Sequence, residues 1–298
     1  IIMPILKWQH VIWIGTLLVF LLGSTADGSE AGNPGVKLKG PYLGMKPPGK
    51  VPELFAPGIV STLFHEHSFL SFSPDGSEIY WTTIIKDNYK YRFPRGILRV
   101  RKMGDRWQTV DYIEIGIDGD GSNGVISPDG KQLFFNLFRR MADGKWNSDL
   151  YVMTRQENRW LDPRPVPGEI NTERMESQVS VSRNNTLYFI GHLEGVRNNY
   201  GIYRSVFKNG RYQKPELLPA QVNSKAIDWT PWISPDEKIL LWSSYREGGT
   251  GVEICMPFTG TDPIPVNGPR QSTLGRRLTG PIMSVSHRCP RMENTCSS

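Results

Sequence analysis

Apolar and polar positions in this chain follow a repeating order: a short polar turn, then a run of apolar residues. Four copies stand out, "FSPDGSEIYWTT" from Phe72, "ISPDGKQLFFNL" from Ile126, "VSRNNTLYFIG" from Val181 and "ISPDEKILLWSS" from Ile233. Proline fixes its own φ, Asp bonds back to the backbone and Gly accepts positive φ, so "PDG" between apolar stretches predicts a hairpin turn. The runs after the turns, Ile79–Trp81, Leu133–Phe135, Leu187–Ile190 and Ile239–Trp242, are continuous rather than alternating. Such runs predict strands covered on both faces.

The turn serines, Ser73, Ser127, Ser182 and Ser234, stand 50–55 residues apart, a period that marks propellers, solenoids or arrays. A further strand is predicted some way on in three copies, at "GILRV" (Gly96), "SDLYV" (Ser148) and "YGIYRS" (Tyr200). An aromatic then follows a polar turn, at Trp107, Trp160 and Tyr212, and "GEIN" and "AQVN" lead into the next copy, ending at Asn171 and Asn223. A unit of about four strands with two apolar faces cannot bury itself, but such units packed radially cover one another. The expected fold is therefore all-β: a β-propeller of four-stranded blades, incomplete in this chain, with about three full blades and part of a fourth.

These copies resemble the WD-repeat-like blades of TolB-type propellers, whose repeat carries S-P-D-G, an apolar strand and a D-[IL]-Y strand. The resemblance covers residues 51–249. It departs at Arg183, Asn184 and Asn185, which replace P-D-G, and at Glu237, which replaces Gly. It implies a scaffold or binding role in the cell envelope. It implies no chemistry, because one fold hosts many functions.

The ends of the chain read differently. Residues 1–26 have Lys7 before an apolar run and small residues after it, the layout of a secretory signal peptide with cleavage after Ala26. A retained membrane anchor is the alternative, although the run is short for a span. Ser24 stands where a lipoprotein signal needs Cys, so lipid attachment has no acceptor. Residues 27–50 are rich in Gly and Pro and read as a linker. After "YREGG" the repeat stops, and residues 250–298 hold all three cysteines, Cys255, Cys289 and Cys296. Read from the third base of each codon, the last ten residues permit SPDGKYLFF, the blade motif again, one period after Ser234. A shift of reading frame near Gly249 is therefore expected, with an unstructured tail beyond it. In a complete relative, "VPELFAPGIVS" would supply a strand closing the last blade.

The net charge is +6, but the basic residues are scattered without interleaved aromatics, which argues against nucleic acid as a partner. For metal chemistry the candidate is "FHEHS": His65 and His67 on a strand share one face, with no third ligand identifiable. Carboxylates recur before the turn serines, at Glu66, Asp118, Asp120, Glu176 and Asp228. In a radial array they gather at one channel mouth, where they would hold a divalent cation or a basic ligand, unless each simply bonds backbone groups at a strand start. "DGDGSNG" from Asp118 lacks the distal Glu and the helices of an EF-hand and reads as a turn. "NNT" at Asn184 fits a glycosylation acceptor but lies in a predicted turn. No G-x-S-x-G, phosphate loop or dinucleotide fingerprint occurs. Trp81, Trp107, Trp160, Trp229, Trp232 and Trp242 would suit a sugar platform, though most sit at repeat positions of the core. The expected function is an exported, periplasmic or extracellular binding module for a protein, peptide or glycan, without catalysis or an obligatory cofactor. A metal-assisted polysaccharide lyase or hydrolase at the channel mouth is the rival.

Overall fold

The structure, a computed structural model, describes residues 39–47, 53–62, 65–84, 95–192, 200–246 and 252–255, excepting the side chains of residues 65, 67, 68 and 252–255. The expected signal peptide, most of the linker and most of the tail lie outside the described residues.

Among the described residues four antiparallel sheets of three or more strands follow one another along the chain. The first holds β1 (His65–Phe72), β2 (Glu78–Ile84), β3 (Arg95–Met103), β4 (Arg106–Trp107) and β5 (Asp111–Tyr112). The second holds β6 (Asp120–Ile126), β7 (Gln132–Arg140), β8 (Trp146–Gln156) and β9 (Arg159–Pro165). The third is built from β10 (Glu176–Val181), β11 (Leu187–His192), β12 (Tyr200–Ser205) and β15 (Glu216–Leu217), with a small ribbon of β13 (Phe207–Lys208) and β14 (Arg211–Tyr212) beside it. The fourth holds β16 (Asp228–Ile233), β17 (Leu240–Ser244) and β18 (Val252–Cys255). The first strands of the sheets, β1, β6, β10 and β16, are neighbours in that order. This is a radial series of blades, an all-β propeller.

The core lies between blades, as two-sided apolar strands require. Tyr80 and Ile97 of the first blade meet Leu133, Phe135, Tyr151 and Trp160 of the second. Phe134, Leu150 and Val152 meet Val179, Leu187 and Phe189 of the third, and Tyr188 and Ile202 meet Leu240 and Trp242 of the fourth. Burial of each such side chain contributes about 1.5–3 kcal/mol, so most of the stability sits at the seams. In β17 the rule weakens: Leu240 and Trp242 are buried, while Leu241 and Ser243 are half-buried. Among the described residues no fifth sheet covers that face. The segment at 53–62 forms turns, and its Ala56 and Val60 pack on the open face of blade one beside Ile79 and Trp81.

The turns work as their residue types predict. The Ser73 hydroxyl donates to Asp75 at 2.6 Å and accepts from the Glu78 N–H at 2.8 Å. Ser127 with Asp129 and Ser234 with Asp236 repeat the arrangement. The Ser73 bond, aided by the Ser77 N–H, lowers the Asp75 pKa to about 2. In the third copy Asn184 stands in place of Asp, and the Ser182 hydroxyl donates instead to Glu237 Oε1 of the next blade at 2.6 Å. The second oxygen of Glu237 accepts from the Tyr188 hydroxyl at 3.2 Å. The two departures from the repeat thus answer each other across a seam.

One segment differs from the sequence expectation. Val252–Cys255 lie within the stretch expected to be an unstructured tail, yet they pair with Leu240–Ser243 as the third strand of blade four. The edge of β17 offers unpaired N–H and C=O groups, and "VEIC" is rich enough in β-branched residues to complete that ladder.

Candidate functional site

The recurring carboxylates occupy equivalent places in the fold. Glu66 is the second residue of β1, while Asp120, Glu176 and Asp228 open β6, β10 and β16. Three of them bond back to the residue four positions earlier. Glu66 Oε1 accepts from the Thr62 N–H at 2.7 Å. Glu176 accepts from the Thr172 N–H at 3.0 Å and its hydroxyl at 2.6 Å. Asp228 Oδ2 accepts from the Ser224 N–H at 2.7 Å and its hydroxyl at 2.9 Å, and its other oxygen takes Arg246 at 3.0 Å. In the second blade Gly116 stands where the others have Thr or Ser and offers no hydroxyl; there Asp120 is half-buried and Asp118 exposed. Each bond closes a short loop onto the start of an innermost strand, so the carboxylate fixes where the strand begins.

Glu176 stands apart from the others in its environment. It is 3% exposed, and burial raises its pKa to about 7, opposed by the Thr172 donors and reinforced by the charge of Asp149. Asp149 is itself held by Arg139 at 2.8 Å and by the Asn147 amide at 3.1 Å. Beside Glu176 opens a cleft of about 780 Å³, lined also by Phe189, His192, Tyr203 and Lys214. The Phe189 and Tyr203 rings stack at 6.1 Å, and the Tyr203 hydroxyl donates to the His192 carbonyl at 3.2 Å. Asn171, from the "GEIN" motif, also lines the cleft. Its amide accepts from the Leu150 N–H at 2.7 Å and donates to the Leu150 carbonyl at 2.9 Å. Asn223 does the same to Ile202 one blade on, at 2.7 and 3.0 Å. These asparagines act as one-residue strands that stitch a linker to the third strand of a blade.

His65 and His67 of β1 pair with Ile84 and Thr82 of β2, but the two histidine side chains lie outside the described residues. Among the described residues no group of three His, Cys, Asp or Glu is placed to hold a metal ion. Trp160 and Trp242 are buried in the seams and Trp81 and Trp107 on the open face of blade one, whereas Trp232 lines the channel.

Sequence reasoning missed one feature of the channel. Each innermost strand changes register midway, between His67/Ser71, Ser122/Val125, Ser177/Ser180 and Trp229/Trp232. Asn123, Gln178 and Thr230 adopt positive φ there. These bulges turn backbone donors toward the preceding blade: the Asn123 N–H donates to Thr82 at 2.7 Å and the Thr230 N–H to Gln178 at 2.8 Å. A polar residue four places before three of the turn serines, at Asn123, Gln178 and Thr230, was the available signal; the first blade has Phe69 at that place.

The architecture defines a β-propeller. No protein-family profile matches the chain, and no curated protein does. Among solved structures it is similar to a TolB-type protein from Agrobacterium tumefaciens, at 17% identity and a TM-score of 0.44, over 65% of this chain and 59% of that one. It is also similar to a protein of unknown function from Dyadobacter fermentans, at 16% identity and a TM-score of 0.45, over 68% and 64%. A third is the β-propeller domain of the Trilobed protease from Pyrococcus furiosus, at 12% identity and a TM-score of 0.38, over 66% and 56%. The chain spans less than two thirds of the length of each of these structures.

Proposed function

We propose that this chain is the propeller of an exported binding module, periplasmic or extracellular, that takes a protein, peptide or glycan of the cell envelope at the strand-start mouth of the channel. The observation that carries the reading is the cleft of about 780 Å³ beside Glu176. Its size and mixture of stacked aromatics with a few convergent polar groups are those of a ligand site. Tyr203 and Phe189 give a flat apolar floor, and His192 and Lys214 supply polar groups to the lining. The bonds within the chain favour holding over chemistry: Glu66, Glu176 and Asp228 are already committed to strand-start donors. Glu66, Asp118, Asp120 and Asp228 then shape the mouth around that cleft.

The test is calorimetric titration of the purified chain with cell-wall oligosaccharides and with peptides from envelope proteins. A ligand that binds should lose about fivefold or more in affinity with Tyr203→Ala, because each stacked ring is worth on the order of 1 kcal/mol or more. Unchanged affinity would remove the cleft from the site. Cleavage of a polysaccharide that stops on chelation, and is lost with His65→Ala and His67→Ala, would replace the binding reading with the enzymatic one.

A further inference from the structure

The opposite end of the channel, where the innermost strands run into the four turns, carries a second cavity of about 390 Å³. Residues of all four blades line it. Its walls are apolar, with Phe69, Phe72, Val125, Val181 and Trp232, and its one charged lining residue is Arg183. Three of the turns bring a proline to this rim, Pro74, Pro128 and Pro235. In the third blade Arg183 occupies that proline's place. A second break in the repeat sits in the same cavity: the position two before the turn serine is Ser71, Val125 and Ser180 in the first three blades and Trp232 in the fourth.

The fold explains only part of this. The Arg183 N–H donates to the Pro235 carbonyl at 2.9 Å, so a proline there would lose a bond between adjacent turns. That accounts for the absence of proline and leaves the choice of arginine open. The Arg183 side chain is exposed and forms no ion pair among the described residues, while the turn aspartates Asp75, Asp129 and Asp236 are held by their own serines. A large aromatic where small residues recur, beside a cation where proline recurs, is the kind of local rule-breaking that marks function.

We infer that this cavity binds a carboxylate carried on an apolar body, the carboxylate on Arg183 and the apolar part against Trp232 and Phe69. A guanidinium matches a carboxylate bidentately, and a volume of about 390 Å³ admits one aromatic or branched aliphatic group. Two sources share this chemistry: a free organic acid, and the C-terminal residue of a peptide. The site stands independently of the cleft beside Glu176.

The experiment is calorimetric titration with 3-phenylpropionate, with N-acetyl-Ala-Phe, and with the amide of the same dipeptide. Binding of either acid, reduced at least tenfold by Arg183→Gln and by Trp232→Ser, with the amide at least tenfold weaker, bears the inference out. The stronger of the two acids identifies the source. Arg183→Gln keeps the backbone N–H, so its melting temperature should match that of the parent chain, and Glu176→Gln should leave this binding unchanged. Absence of binding by both acids at millimolar concentration, equal binding of the amide, or indifference to Arg183→Gln overturns it.

Discussion

Gly168→Ala is expected to destabilise the chain by about 3–5 kcal/mol, enough to open the seam between the second and third blades. Gly168 has φ +116, a backbone region that only glycine occupies without strain. A Cβ there would overlap the Tyr212 carbonyl oxygen and lie 2.9 Å from the Tyr212 nitrogen and carbonyl carbon. Backbone atoms cannot rotate aside as a side chain would. The Tyr212 N–H also donates to the Pro167 carbonyl at 2.9 Å, so the strand carrying Tyr212 is held against the glycine. Tyr212 is buried and meets Phe134 edge-on at 6.4 Å, which carries the displacement into the core. Gly210→Ala supplies the control: φ is +76 and nothing lies within 4 Å of the new carbon, so only the left-handed penalty of about 1–2 kcal/mol applies. Urea unfolding of the two variants checks the contrast. Equal losses would mean that the close approach at Gly168 is not present.

Glu176→Gln should change stability in a manner that depends on pH. The folded chain holds the Glu176 proton up to a pKa of about 7, against 4.5 for the free side chain. Between those values the native state binds more protons than the unfolded state, so stability falls as pH rises through the window. The group's contribution is fully present below pH 4.5 and is lost above pH 7, a swing of about 3 kcal/mol. Glutamine stays neutral at every pH and presents an oxygen and an amide to Thr172, much as the protonated carboxyl does. The difference in unfolding free energy between variant and parent should therefore move by about 3 kcal/mol in favour of the variant between pH 4.5 and pH 8. A difference that stays flat with pH would show that Glu176 titrates as an ordinary surface carboxylate. A constant offset leaves the prediction intact, because the slope carries the information.

The turns and seams were legible because their chemistry is local. Ser, Pro, Asp and Gly in order specify a hairpin by themselves, and the unbroken apolar runs at Ile79, Leu133 and Leu187 require cover on two faces. Asn171 and Asn223 were visible as recurring letters, but their clamp on the backbones of Leu150 and Ile202 was not, since those residues lie 21 positions away. The carboxylates were legible as a series. Their bonds to Thr62, Thr172 and Ser224 depend on how each loop closes, which the spacing of single letters does not reveal. The answer of Glu237 to Ser182 spans 55 residues and depends on radial packing itself. The strand at Val252–Cys255 was missed because the motif ends before it, while the open edge of β17 accepts any extended segment of suitable residues.

Packing of consecutive repeats side by side, each completing its neighbour, is tested most directly by a double-mutant cycle on Ser182→Ala and Glu237→Ala. The two residues belong to different blades and share one charged hydrogen bond of 2.6 Å, so the coupling energy should be about 1.5–3 kcal/mol. Additive losses, with a coupling within about 0.3 kcal/mol of zero, would contradict a seam between these blades and with it the radial arrangement.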